Sequence, residues 1–347
     1  MAATTAPPQQ PSQDQFQQPT GRQGRRSGSS VDRRAELLLG LVGAMVLALC
    51  AGMVIFVLAK AWPSFASNGI GWFGAGTPDT QLGDIFKSPS APSDYVYEIG
   101  VWPLLWGTIL TTGVAVFLGL FFSLFTAIFI VEFAPPRLER LLEPVVRLLA
   151  AVPSVVYGLI GILVLVPFVS NNLISDERKE SVGYVTQLTG ASWSVAALVL
   201  TVMIVPIMIT IIVDALRSVP KSWIEGAAAL GVNRWRIMWT ISVRTVRPAI
   251  IAAVILAAAR ALGEAIMISM ISGSLSFVPQ PVDGLTFFFE PVRTLASSIV
   301  DNAEGLSVIP FGQTIYAFAF LLLISSAVLS WAGWAAKIPM RKYGVRP

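Results

Sequence analysis

The sequence predicts an all-α, polytopic membrane protein, and three observations carry that prediction. Of 347 residues, 54% are hydrophobic and only 13% are charged, about half the charged share of an ordinary soluble domain. Six runs are apolar enough and long enough to cross a hydrocarbon core, which takes about 20 residues of helix. The basic residues crowd into alternate connecting segments, as they do in multi-span chains. The chain has no histidine and one cysteine, Cys50. That excludes imidazole acid–base chemistry, disulfides and His/Cys zinc sites. No metal and no cofactor is expected.

The elements follow in chain order. Residues 1–36 are rich in Gln, Pro, Ser, Gly and Arg with no apolar face, so they read as a disordered tail. The first apolar run, 37–59, is 23 residues long, too long for the apolar region of a signal peptide, and reads as a true span. The remaining spans fall at about 104–131, 145–169, 193–213, 248–271 and 310–331. A short turn containing Pro135, Pro136 and Pro144 joins the second to the third. Pro153 and Pro206 are placed inside the third and fourth spans, where each removes a backbone hydrogen bond. Ser154 and Tyr157, just after Pro153, offer hydroxyls to a substrate pathway; Gln313 and Thr314 do so more weakly. Tryptophans 62, 72, 102, 106, 193, 331 and 334 lie near span ends, as an aromatic belt does.

Segments 1–36, 132–147, 214–247 and 332–347 together hold 18 Lys and Arg, whereas 60–103, 170–192 and 272–309 hold 5. The asymmetry predicts that both termini are cytoplasmic. It also accounts for the basic C-terminus (Lys337, Arg341, Lys342, Arg346) without a nucleic-acid role. The outer segments carry net charges of −2, −1 and −3. Such a surface does not steer a free anion inward, so an anionic substrate would need a carrier to deliver it. The outer segment 60–103 reads equally as a docking surface for such a carrier or as an inert loop.

The longest inner loop, 214–247, is also the most patterned. Pro220 and Ser222 are helix-start signals, Glu225 is expected in the first turn, and Gly231 closes the helix after Gly226, Ala227, Ala228 and Ala229. A helix so short of side-chain bulk can lie close against another protein. Ringed by Trp223, Arg234, Trp235 and Arg236, it equally fits an amphipathic helix at the membrane surface. Glu225-Gly226-Ala227 followed by Gly231 resembles the EAA loop of ABC importer permeases, with Gly226 at the second position and Val243-Arg244 where that loop has Leu-Pro. The resemblance implies that Glu225, Gly226, Ala227, Ala228 and Gly231 form the coupling helix that docks on an ATPase subunit.

The fifth span contains Arg260 and Glu264, four residues apart and so expected on one helix face, within reach of each other. Charges at that depth cost about 2.5–3.5 kcal/mol each and are expected to face the bundle interior or water. Ala253, Ala257, Ala261 and Gly263 let neighbouring helices come close. Two readings stand side by side here. Arg260 is a guanidinium fork placed for an oxyanion, held or gated by Glu264, or the two form an ion pair that only sets helix register.

Arg260-Ala261-Leu262-Gly263-Glu264 is similar to the R-A-L-G-E-T segment of PstC-type permeases of phosphate-specific ABC importers, with Ala265 in place of Thr. Ala150–Gly158 resembles that family's A-G-I-P-S-V-V-Y-G stretch, and the segments GVWPLLWGTILTTGVAV and AIFIVEFAPP resemble its second span. These motifs come in family order over residues 98–275. The resemblance implies a six-helix permease fold over residues 37–347 and a phosphate path past Arg260 and Glu264. It further implies a homologous second permease of the PstA type, two PstB-type ATPases and a PstS-type extracytoplasmic binding protein, in a bacterial plasma membrane. No G-x-x-x-x-G-K-[ST] loop is present, so ATP hydrolysis is expected in a partner. Permeases for molybdate or sulfate, and a phosphate-sensing scaffold that transports nothing, are the alternatives. A stand-alone ion-coupled carrier would want internal repeats and more intramembrane ionisable groups.

Overall fold

The computed structural model describes residues 30–89 and 91–338. Most of the expected tail and the basic C-terminal cluster lie outside these. Two units are distinguished, one ending at Met53 and the other beginning at Val54. Among the described residues there is no strand, only an isolated parallel bridge between Gly273 and Val292.

The first helix, α1 (Ser30–Asn68), begins inside the stretch read as tail and runs well past the expected end of the first span. From Arg33 to Met53 every side chain is exposed, as suits a helix apolar on all sides whose solvent is lipid. The outer segment then forms α2 (Pro78–Phe86), opened by a proline at its first position, where a missing N–H costs nothing. The second span is α3 (Trp102–Ile128), ended by a π turn, Phe129–Phe133.

The next connection differs from the expected turn. It is a separate helix, α4 (Pro136–Ala150), with charged and apolar faces. Pro153 is therefore not inside a span but caps the start of one. The third span runs through α5 (Ser154–Ile160), a π turn at Gly161–Leu165 and α6 (Val166–Asn172). The physical reason is local: the residue before a proline is pushed out of the helical region, and the backbone restarts at Ser154. A short outer helix, α7 (Asp176–Val182), follows.

The fourth span, α8 (Trp193–Arg217), passes unbroken through Pro206 and is the most enclosed of the spans. It packs along α3, where Gly119 leaves room for Ile204 and Met208. Beyond it the inner loop forms α9 (Lys221–Ala229), α10 (Arg234–Ile237), a π turn and α11 (Val243–Thr245). A 68° bend leads into α12 (Arg247–Leu262). The expected fifth span is interrupted: α12 ends at Leu262 and α13 (Ile266–Ile271) starts after a gap of three residues. The outer return carries α14 (Leu295–Asp301), capped by Thr294 and Ser297 in a reciprocal capping box. The last span is α15 (Ile309–Lys337). Five of these helices are long and apolar enough to cross a membrane, six when the bent α10–α12 stretch is one span.

Not all the span-end tryptophans form a belt. Trp62, Trp102, Trp331 and Trp334 are exposed, but Trp72 and Trp193 are buried in the protein. Their indole N–H groups donate to Ser64 Oγ at 3.3 Å and to the Phe287 carbonyl at 2.6 Å.

Candidate functional site

The interruption in the fifth span places the charged pair. α12 ends where Gly263 meets a backbone already committed to a tight turn, the Glu264 N–H donating to the Ala261 carbonyl at 3.3 Å. Glu264 Oε1 then accepts the Met267 N–H at 3.3 Å, which satisfies one of the orphan donors at the start of α13. The carboxylate is thus spent on capping the second half of the span. Because the helix stops between them, Arg260 and Glu264 do not form the contact their spacing allows: no ion pair joins them among the described residues. Arg260 is exposed on the surface of this chain and Glu264 is half-buried. Arg260 stands about 20 Å along α12, counted at 1.5 Å per residue. That is deep in a span, where an uncovered guanidinium facing lipid is strongly disfavoured.

The third span passes beside this break. Gly158 lies over the Met267 backbone, where an added Cβ would come within 3.2 Å of the Met267 Cα. Gly161 makes similar room for Ile271. Tyr157, Ala257, Ala261 and Met267 share one buried cluster. Tyr157, however, donates its hydroxyl to the Leu149 carbonyl at 2.9 Å. That bond ties α5 to the end of α4, so the proton is not offered to a pathway. Ser154 is half-buried, and its hydroxyl makes no hydrogen bond among the described residues. Gln313 accepts from the Tyr97 hydroxyl at 2.6 Å, and the Thr314 hydroxyl bonds its own helix at the Pro310 carbonyl.

The small inner helix has the closure its sequence predicts. The Gly231 N–H donates to Ala228 O at 2.9 Å and the Val232 N–H to Ala227 O at 3.3 Å, the paired bonds of a Schellman motif. Gly231 supplies the left-handed residue, with φ of +76°, a conformation open to glycine at little cost. Glu225 falls in the second turn rather than the first, because the helix starts at Lys221. Glu225, Gly226, Ala228, Ala229 and Gly231 are exposed and Ala227 is half-buried. An added Cβ at Gly226 would meet nothing within 4 Å.

On the outer side lies a polar clamp that the sequence did not single out. Asp79 on α2 accepts from the Ser276 N–H at 2.7 Å and the Ser276 hydroxyl at 2.8 Å, and pairs with Arg293. Arg293 Nε also faces Asp301 at 3.5 Å, and Asp301 accepts from Ser269 on α13. The guanidinium thus joins α2, the outer return and the far half of the broken span. Its one visible signal was that Arg293 is the sole basic residue of segment 272–309. A cavity of about 530 Å³ beside it is lined by Lys87, Asp301 and Glu304 among others. Carboxylates outnumber cations there, so it is no anion site. Glu290, in the same return, is buried, and its Oε2 has no hydrogen-bond partner. Burial, and then the Asp283 carboxylate, push its pKa up to about 7.

An apolar helical bundle with five or six helices of membrane-spanning length, one of them broken, has the architecture of a membrane transport subunit. Residues 119–336 match the family described as the binding-protein-dependent transport system inner membrane component, and the chain belongs to that family. It is 30% identical to the probable ABC transporter permease protein YqgH of Bacillus subtilis, over 86% of this chain and 90% of that one. It is 31% identical to the phosphate transport system permease protein PstC 2 of Mycobacterium tuberculosis, over 87% of this chain and 92% of that one. A chain of a bacterial alginate ABC transporter, solved with an alginate-bound periplasmic protein, shares the fold with a TM-score of 0.53 at 14% identity. That match covers 88% of this chain and 96% of the other.

Proposed function

We propose that this protein is the membrane-spanning permease subunit of an ATP-driven importer of inorganic phosphate. The observation that carries this is Arg260, exposed at depth beside a break in the span and left unpaired by Glu264. A guanidinium with its donors free matches the oxygens of a tetrahedral oxyanion. Relatives named as phosphate transport permeases support phosphate as that oxyanion. Glu264 holds the break open by capping α13, Ser154 offers a free hydroxyl from the facing span, and Tyr157 fixes the wall between them.

A second permease of the PstA type covers the exposed side of Arg260 and completes the path. Of two PstB-type ATPases, one docks on this chain's α9 and its closing turn through Glu225, Gly226, Ala227, Ala228 and Gly231, and a PstS-type binding protein delivers phosphate from outside, past the acidic outer loops. Both termini then lie in the cytoplasm of a bacterium, and ATP is hydrolysed by the partners.

The test is uptake of labelled phosphate by cells carrying Arg260→Gln or Arg260→Lys, with complex assembly checked by co-purification. Uptake falls at least tenfold in Arg260→Gln, and Arg260→Lys recovers only part of it because the fork is lost. Full uptake by assembled Arg260→Gln complexes refutes the role. Competition by molybdate or sulfate stronger than by unlabelled phosphate reassigns the substrate.

A further inference from the structure

Helix α4 has an apolar side that the protein does not cover. Its Glu139 and Glu143, one turn apart, both pair with Arg217 at the end of α8. Leu142 and Val146 join the buried cluster of Ile209, Ile212, Val213 and Leu216. The opposite side shows Leu141 and Leu148, 62% and 69% exposed, with Val145 and Leu149 also exposed between and beside them. Their spacing of three, four and seven residues makes one stripe along the helix. Arg137 and Arg140 are exposed at its margin, and Arg147 instead borders a small cleft with Glu143 and Asp214. Both carboxylates of α4 are turned to Arg217, so its free edge presents basic charge alone.

The height of this stripe is set by what precedes and follows it. Phe125, Phe133, Trp235 and Trp239 form a chain of ring contacts at the end of α3, with centroids 5.7–6.4 Å apart. Aromatic rings gathered at a span end mark the membrane–water interface. α4 starts at Pro136, three residues after Phe133, and Ser154 of the next span follows its end by four. At about 3.5 Å per residue, both ends of α4 stay within roughly 15 Å of a span end. The basic residues around it put this interface on the side of the inner loop.

We propose that α4 is an in-plane anchor that binds anionic phospholipid of that leaflet. Leu141, Val145, Leu148 and Leu149 enter the acyl boundary, and Arg137 and Arg140 hold the headgroup phosphate. This is the geometry of an interfacial amphipathic helix, with the basic edge that anionic lipid attracts. It rests on α4 alone and holds whatever the substrate is. Because Arg217 clips α4 to α8 four residues ahead of α9, the anchor fixes the root of the inner loop against the membrane.

The experiment uses the full chain with its co-purified subunits in nanodiscs of phosphatidylcholine, with or without phosphatidylglycerol. In a Cys50→Ser background, Leu148→Cys carries an environment-sensitive fluorophore, and Leu141→Cys serves as an independent second reporter. A nitroxide on the lipid chains quenches both labels, and aqueous iodide reaches neither. Preference for spin-labelled phosphatidylglycerol over phosphatidylcholine falls about fivefold for each of Arg137→Gln and Arg140→Gln, as expected for one basic residue at a membrane surface. Both substitutions lie on an exposed edge, so the fold is retained. Quenching by iodide, or crosslinking of the labels to another subunit, overturns the proposal, and so does an unchanged lipid preference in the double variant.

Discussion

Glu290 shows how one side chain makes stability depend on pH. It is 3% exposed, and its folded-state pKa of about 7 stands above its ordinary 4.5. A carboxyl raised in this way favours the fold while protonated. Its contribution is whole below about 4.5, declines as pH rises, and is gone above about 7. The full effect is on the order of 3 kcal/mol. The melting temperature of the purified protein is therefore expected to fall across this window, and Glu290→Gln is expected to flatten that part of the profile. An unchanged slope in Glu290→Gln places the titrating group elsewhere. Nothing in the sequence set Glu290 apart from the other outer carboxylates. Its burial comes from the aromatic return around it, where the Trp193 N–H donates to the Glu290 carbonyl at 3.1 Å. Arg293 stood out in sequence only as the sole basic residue of its segment, and its pairing with Asp79 across 214 positions is a property of the folded chain.

At the scale of elements, two glycines of the inner loop separate folding from docking. Gly231 needs its left-handed φ to end α9, and a Cβ there would meet nothing within 4 Å. Gly231→Val thus acts through backbone strain alone, about 1–2 kcal/mol, spent on the end of α9. Gly226 sits in ordinary helix with open space around it. Gly226→Leu is therefore expected to leave the chain's own melting temperature unchanged or slightly higher, since glycine is a poor helix former. Under the docking proposed for α9 it is nevertheless expected to lose the co-purifying ATPase, since the added bulk meets nothing in this chain. Retained ATPase with normal coupled hydrolysis in Gly226→Leu removes α9 as the docking element. The Schellman closure was legible because glycine after an alanine run is a strong local signal. The gap between α12 and α13 was not. Ala-Ala-Ala-Arg-Ala-Leu-Gly-Glu-Ala reads as helix, since one glycine costs only about 1 kcal/mol. The break comes from the Glu264 cap and from Gly158 pressed on Met267. The start of the third span misled for a related reason: hydropathy runs straight through Pro153, although the proline itself marked the boundary.

For the whole molecule, Arg260 is the residue that one chain leaves unfinished. Its side chain is exposed, and the cavities of about 500 and 530 Å³ lie around other residues, in the outer segments. In the assembled importer the surface over Arg260 is expected to be wet and lined by a second subunit. Arg260→Cys in a Cys50→Ser chain should then react with a water-soluble thiol reagent faster than with a lipid-soluble one, and phosphate should slow the reaction. The reverse order of rates means that the position faces lipid.

The sequence by itself determined the class of the molecule. Apolar length, the asymmetry of Lys and Arg, and the glycine that closes α9 act over one segment at a time, through hydration and local backbone preference. Only the tertiary structure decided that Arg260 and Glu264 do not pair, that Tyr157 spends its proton on Leu149, and that Arg293 clamps the outer elements. Each of those outcomes depends on which helix a neighbour presses against. Burial and hydrogen-bond geometry between distant segments set them, and a linear pattern carries no record of either.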